Sequence, residues 1–240
     1  MSKRRITIGS LFSGSGGFEL AGAMFGAVPV WASEIEPFPI AVTRKRFPEM
    51  IHMGDIGKLD GAELPPVDII TGGSPCQDMS VAGKREGLDG ARSGLFREQI
   101  RIIREMRQKH EKPRYMVWEN VPGAFSSNKG ADFLVAQAPE YIVRRLTPLE
   151  CCRLQGFPDG WTDGLGTENP DKETVEFWES VFEEHRRLTG SPKNRRSRNQ
   201  VIKWIRDPYS DTALYRMWGN GISLPCAAFV MKGIVMELSE

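Results

Sequence analysis

Cys76 stands directly behind Gly72-Gly73-Ser74-Pro75, and the apolar run Val67-Asp68-Ile69-Ile70-Thr71 comes before them. A buried-type strand that ends on two glycines and then a proline-held cysteine presents a thiol at the top of a sheet. Free cysteines are commonly small buried hydrophobes. Here Pro75 fixes the backbone and a loop with Lys84, Arg85 and Arg92 follows, an electropositive setting that favours thiolate and nucleophilicity. Glu119 follows the apolar Tyr115-Met116-Val117-Trp118 and precedes Asn120-Val121-Pro122, so a carboxylic acid stands at another strand end. Partial desolvation there raises a carboxyl pKa and lets the group donate a proton near neutrality.

A third piece, Phe12-Ser13-Gly14-Ser15-Gly16-Gly17-Phe18, follows the first apolar run. Gly14, Gly16 and Gly17 let the backbone approach a ligand at a helix start. No Lys-Ser/Thr follows, so this is not a phosphate-clamping P-loop. Glu34, at the end of a second strand, suits two ribose hydroxyls. Asp55, in Gly54-Asp55-Ile56 where a third strand would end, can accept from an adenine amino group. Either acid alone is more commonly a surface residue; together with the glycine turn they point to an adenosine-containing cofactor.

These residues need strands that end side by side. Apolar runs at 6–12, 28–33, 67–71 and 115–118 read as strands, and helical patterns at 18–25, 37–47 and 95–109 separate them. Pro37 opens its helix, as a first turn tolerates. This βαβα rhythm predicts an α/β fold with a doubly wound, mostly parallel sheet and ligands at the strand carboxyl ends. The stretch 74–93, with little apolar periodicity, reads as a functional lid rather than a plain connection. The second half is helical. Thr147-Pro148-Leu149-Glu150 is a capping box opening a helix to Leu154, and further helices are expected at 171–188, 197–206, 210–218 and 223–238.

With 240 residues, the chain accommodates one full α/β core with additions. The net charge of +1 announces no nucleic-acid partner, although Lys193 to Arg198 form a short basic run that reads as a solvated loop. The four cysteines fit neither a disulfide framework nor zinc knuckles, which predicts a reduced chain without metal. No stretch approaches the roughly 20 apolar residues of a membrane span, and no signal peptide is expected. A cysteine hydrolase would need a histidine base, and His52, His110 and His185 stand in no motif.

The chain resembles the cytosine-C5 DNA methyltransferases, especially the phage and prophage forms. The resemblance is carried by Phe12 to Phe18, Gly73-Ser-Pro-Cys-Gln77, Arg92-Ser-Gly-Leu-Phe96, Glu119-Asn-Val121, Arg145-Leu-Thr-Pro-Leu-Glu150, Arg153-Leu-Gln-Gly-Phe-Pro158 and Gly219-Asn220, in the family's order. It implies the S-adenosylmethionine-dependent, Rossmann-like methyltransferase sheet with a helical C-terminal part. It also implies methyl transfer from S-adenosylmethionine to C5 of a cytosine flipped out of double-stranded DNA. Cys76 would attack C6, Glu119 would protonate N3, and Arg92 would lie near the target. Phe12 would stack on adenine, Glu34 would hold the ribose, and Asp55 with Ile56 would contact the adenine. Gly14, Gly16, Gly17, Pro75, Leu95 and Asn220 would complete the cofactor site. The position after Glu34 is commonly a large aromatic in the family; Ile35 implies a thinner wall.

One departure is large. Between Pro122 and Arg145 the family builds further strands and a separate DNA-reading domain, and here only 123–144 fill that space. The resulting expectation is a cofactor-binding and catalytic core at 1–135 and a shortened C-terminal part at 136–240, its last helix returning to the core, with no target-recognition domain. The alternative is an inactive or split remnant that binds S-adenosylmethionine or a partner chain supplying target recognition. A cytoplasmic location, in a bacterial host or phage-infected cell, and no membrane partner are expected.

Overall fold

The computed structural model describes residues 5–73, 93–119, 146–190 and 195–239. Strands β1 (Thr7–Leu11), β2 (Val28–Ser33), β3 (Ile51–His52), β4 (Ile69–Gly72) and β5 (Tyr115–Trp118) form one sheet in the order β3-β2-β1-β4-β5. Every neighbouring pair is parallel. The predicted doubly wound sheet is therefore present, and the strand order reverses between β1 and β4. In such sheets the crevice outside the carboxyl ends at that reversal receives ligands.

Helices α1 (Gly17–Ala23), α2 (Pro37–Arg46) and α3 (Ser93–His110) lie between strands in sequence, and a short 3-10 turn spans Ile56–Lys58. Side chains alternate across the sheet, as the strand period requires. Ile8 and Ile69 face one apolar cluster with Phe18 and Ala21 of α1, whereas Leu11 and Ile70 face another with Ile102 and Met106 of α3. With both faces covered, the strands read as continuous apolar runs, which made them legible. Helix α8 (Leu224–Ser239) packs on α1, placing Ala227, Met231 and Val235 in the first cluster.

The expected capping box at Thr147 and Glu150 has both halves in place at the start of α4 (Pro148–Leu154). Helices α5 (Lys172–Leu188) and α6 (Arg198–Arg206) pair, and Val175, Trp178, Val201 and Ile205 make a third cluster with Ile40 and Ala41 of α2. The described end of the basic run is not a free loop. Arg196 sits over the Phe182 ring at 4.3 Å, and Arg198 pairs with Glu179 at 2.7 Å, both on α5.

Candidate active site at the strand carboxyl ends

The turn after β1 carries positive φ at Phe12 (57°), Gly14 (55°) and Gly16 (81°). Glycine adopts this region freely, but for a bulky side chain such as Phe12 it is strained, and such strain concentrates at functional sites. The Ser13 amide donates to Ser33 O and the Gly16 amide to Ser13 O, tying the turn to the end of β2. The C-terminal half closes it from the other side. Trp161 Nε1 donates to Ser15 O at 2.9 Å, and a Cβ on Gly17 would lie 2.6 Å from Ile222 Cγ2. Asn220 ends α7 (Asp211–Asn220) and is exposed; at the next residue, Gly221, an added Cβ would stand 3.0 Å from Ser15 Oγ. The last motif of the chain is thus brought to the first.

Glu34 is held inward by backbone amides. Its Oε2 accepts from Gly14 N at 2.8 Å, and Oε1 accepts from Ile35 N at 2.8 Å and Glu36 N at 3.0 Å. Burial raises its pKa against the pull of those amides. A second carboxyl lies under the same turn. Glu19, in the first turn of α1 and 1% exposed, accepts from the Ser13 hydroxyl through Oε1, while its Oε2 has no partner. Burial, opposed chiefly by Ser13, pushes Glu19 up to about 7. Sequence reading passed over this acid because it sits inside an otherwise apolar helix; a lone charge in such a run was the available signal.

Asp55 caps the 3-10 turn, accepting from Gly57 N at 2.9 Å, and its other oxygen lies 3.3 Å from Arg187. Ile56 is 3% exposed, in the core with Leu11 and Trp31, so its side chain is spent on packing. Phe12, Met53 and Leu95 pack against that same cluster, which brings three of the sequence-selected cofactor residues, Phe12, Ile56 and Leu95, to one apolar patch.

Glu119 stands at the end of β5. Its amide donates to Gly72 O at 3.0 Å, and its Oε2 would lie 2.7 Å from a Cβ on Gly73. Burial raises its carboxyl pKa, the direction a proton donor needs. The acid therefore stands beside the segment that continues to Cys76. Cys76 itself, Pro75 and Arg92 lie outside the described residues, as do the 123–144 stretch and all of the lid expected from 74 to 93 except Ser93, which opens α3. Of the other thiols, Cys152 is buried and pushed up to about 11 by that burial, which leaves it inert at neutral pH.

Beside Glu34 lies a cleft of about 210 Å³ between the ends of β2 and β3 and the face of α5. Among the described residues, no group of three or more His, Cys, Asp or Glu is arranged to hold a metal ion, and no single helix is long and apolar enough to cross a membrane.

The chain is similar to known DNA-methylating proteins over about half of its length. A family model described as C-5 cytosine-specific DNA methylase matches residues 6–139. A protein of Escherichia phage P1 named DNA N-6-adenine-methyltransferase is 37% identical over 136 residues, 53% of this chain and 18% of its own length. The type II methyltransferase M2.BsuMI of Bacillus subtilis is 40% identical over 140 residues, 58% of this chain and 34% of its own. This chain thus spans between about a fifth and a third of those relatives. The crystal structure of the S. pombe Dnmt2 methyltransferase superposes with a TM-score of 0.51 at 18% identity, covering 98% of this chain and 99% of that one, a likeness of fold.

Proposed function

Because the chain belongs to the C-5 cytosine-specific DNA methylase family, we propose that it is an S-adenosylmethionine-dependent DNA (cytosine-5-)-methyltransferase acting on double-stranded DNA. The observation that carries this reading is the position of Glu119 against Gly73, at the strand end leading to Cys76 and next to the glycine turn of β1. Nucleophile segment, acid and cofactor turn all leave the sheet at adjacent carboxyl ends, around the reversal of strand order.

The residues present fit the cofactor. Glu34 offers a half-buried carboxylate just past the end of β2, Phe12 and Leu95 pack on one apolar cluster, and Ser15 Oγ and Glu19 Oε2 are buried polar atoms without partners at the glycine turn. When bound, S-adenosylmethionine supplies an activated methyl group. The chain's own residues prepare the acceptor. The Cys76 thiolate donates its electron pair to C6 of the extruded cytosine, and Glu119 delivers its proton to N3, so that electron density collects at C5. After transfer, the C5 proton is lost to water, the C5–C6 double bond re-forms as the C6–S bond breaks and the Cys76 thiolate leaves, and N3 returns its proton to Glu119. Exclusion of water and placement of the base fall to the segment containing Arg92, by the resemblance.

The chain divides, in this reading, into a core at 1–135 and a shortened part at 136–240, and works in the cytoplasm. Its short span relative to its kin, with only 123–144 between the nucleophile half and Arg145, supports a second reading. There, the chain binds S-adenosylmethionine and a partner chain supplies target recognition. Incubation with a duplex containing 5-fluorocytosine, in the presence of cofactor, separates the two. The enzyme forms a covalent adduct that Cys76→Ser abolishes. Cofactor binding by calorimetry without any adduct, on any duplex tried, would favour the second reading, and absence of cofactor binding would end both.

A further inference from the structure

The cleft beside Glu34 has two walls of different origin. One is the methylase sheet itself, with Glu34, Ile35, His52, Met53 and Gly54. The other is α5, which contributes Phe177, Ser180, Val181 and Glu184 and lies beyond the family-matched segment. We propose that α5 is the outer wall of the adenosine subsite, with Phe177 packing against the nucleoside and Glu184 accepting its hydrogen-bond donors. The inference rests on the cofactor assignment above and extends it to a helix that no motif reaches.

Size is the first argument. At about 210 Å³ the cleft is smaller than the roughly 300–1,000 Å³ of sites that bury whole drug-sized ligands, so it takes one part of a cofactor. The lining says which part. Phe177, Ile35, Ile40, Met53 and Val181 are apolar, which suits a flat ring system. The polar lining is dominated by two carboxylates, Glu34 and Glu184, and His52 is neutral at pH 7 because burial, helped by Arg44, pushes it down to about 4. Carboxylates accept and do not donate. Their match is a group bearing hydroxyls and an amino group and carrying no phosphate, which is a nucleoside rather than a nucleotide.

Placement of α5 is secured independently of any ligand. Trp178 and Val175 bury against α2. Lys58 pairs with Glu184, Arg187 lies 3.3 Å from Asp55, and His185 Nε2 is 3.3 Å from Glu36 Oε2, close enough to attract though not aligned as a hydrogen bond. Arg44 sits over the Phe177 ring at 3.9 Å and fixes that side chain. Glu184 reaches the strand ends because Gly54 has no side chain: a Cβ there would stand 2.7 Å from Glu184 Oε2. The thin wall expected at Ile35 is thus faced by an aromatic residue from another part of the chain.

Calorimetric titration of S-adenosylhomocysteine into the full chain tests this, with near-ultraviolet circular dichroism confirming that each variant is folded. Phe177→Leu and Glu184→Gln are each expected to weaken binding by about tenfold. Lys58→Met, which breaks the same ion pair from outside the cleft, is expected to stay within about twofold of wild type. Wild-type binding with both cleft variants unchanged would overturn the inference and leave the functional reading standing. A loss in Lys58→Met equal to that in Glu184→Gln would reduce Glu184 to a strut and overturn its role as acceptor. Failure of the wild-type chain to bind would sink the functional reading and this inference together.

Discussion

Glu19 shows what a single residue does when folding takes it out of water. Its carboxyl has an ordinary value of 4.5 and is pushed up to about 7, chiefly by burial. A group that binds its proton more tightly in the folded state contributes stability that is complete below 4.5 and is lost as pH rises through about 7. The difference corresponds to about 3 kcal/mol. Urea denaturation at pH 5 and pH 8 should show the wild-type chain losing roughly that much relative to Glu19→Gln. His52 gives the opposite slope in acid, since it is pushed down to about 4, so the comparison between the two chains isolates Glu19. A pH-independent difference would mean that the acid is solvated. Cys76 and Glu119 were legible as chemistry because each follows an apolar run at a glycine or proline stop. Phe177 and Glu184 were not, because what marks them is a neighbour far away in sequence, Arg44 for the ring and Gly54 for the acid.

At the level of elements, the glycines separate into those that hold a shape and those that fill a helix. Gly9 on β1 faces the ring of Trp31, which is fully buried and tied by its Nε1 to Pro65 O at 2.9 Å. A methyl group at position 9 would overlap that ring, and the β1–β2 register already shifts between Ile8 and Gly9. Gly9→Ala is expected to cost about 1–3 kcal/mol or more in equilibrium unfolding. Gly233, inside α8, has open space around its Cβ direction. There, Gly233→Ala should stabilise by about 1 kcal/mol, from helix propensity and reduced unfolded-state entropy. Opposite signs for one chemical change would confirm that strand packing, rather than glycine content, sets the constraint; stabilisation by Gly9→Ala would refute the packing at Trp31. Local pattern located the helices and the capping box at Thr147 well, because caps and amphipathic stripes are local; the second box, Ser197 with Gln200, was not singled out. It placed the third strand only by its end, since β3 has two residues and too short a pattern to read.

The whole molecule is closed by its last helix. Met231 is fully buried in a cluster that joins Ile6 and Ile8 of the N-terminal part to Phe157, Trp161 and Trp218 of the C-terminal half. Met231→Ala should therefore cost about 2–5 kcal/mol and lower one shared melting transition. Separate transitions, with only the C-terminal one shifted, would show that the two parts fold independently and that the α8–α1 contact is incidental. Edges of this arrangement remain apolar: Met116 on β5 and Phe229 on α8 are 40% and 82% exposed.

The amino-acid order by itself determined the sheet class, the glycine turn, the order of the motifs and the acid at the end of β5, because each depends on neighbours within a few residues. The order of strands, the meeting of Gly221 and Ile222 with the glycine turn, and the placing of Ile35 and Phe177 on one cleft were decided only by tertiary structure. Those depend on which surfaces the chain can bury against each other, and burial joins residues more than a hundred positions apart as readily as adjacent ones.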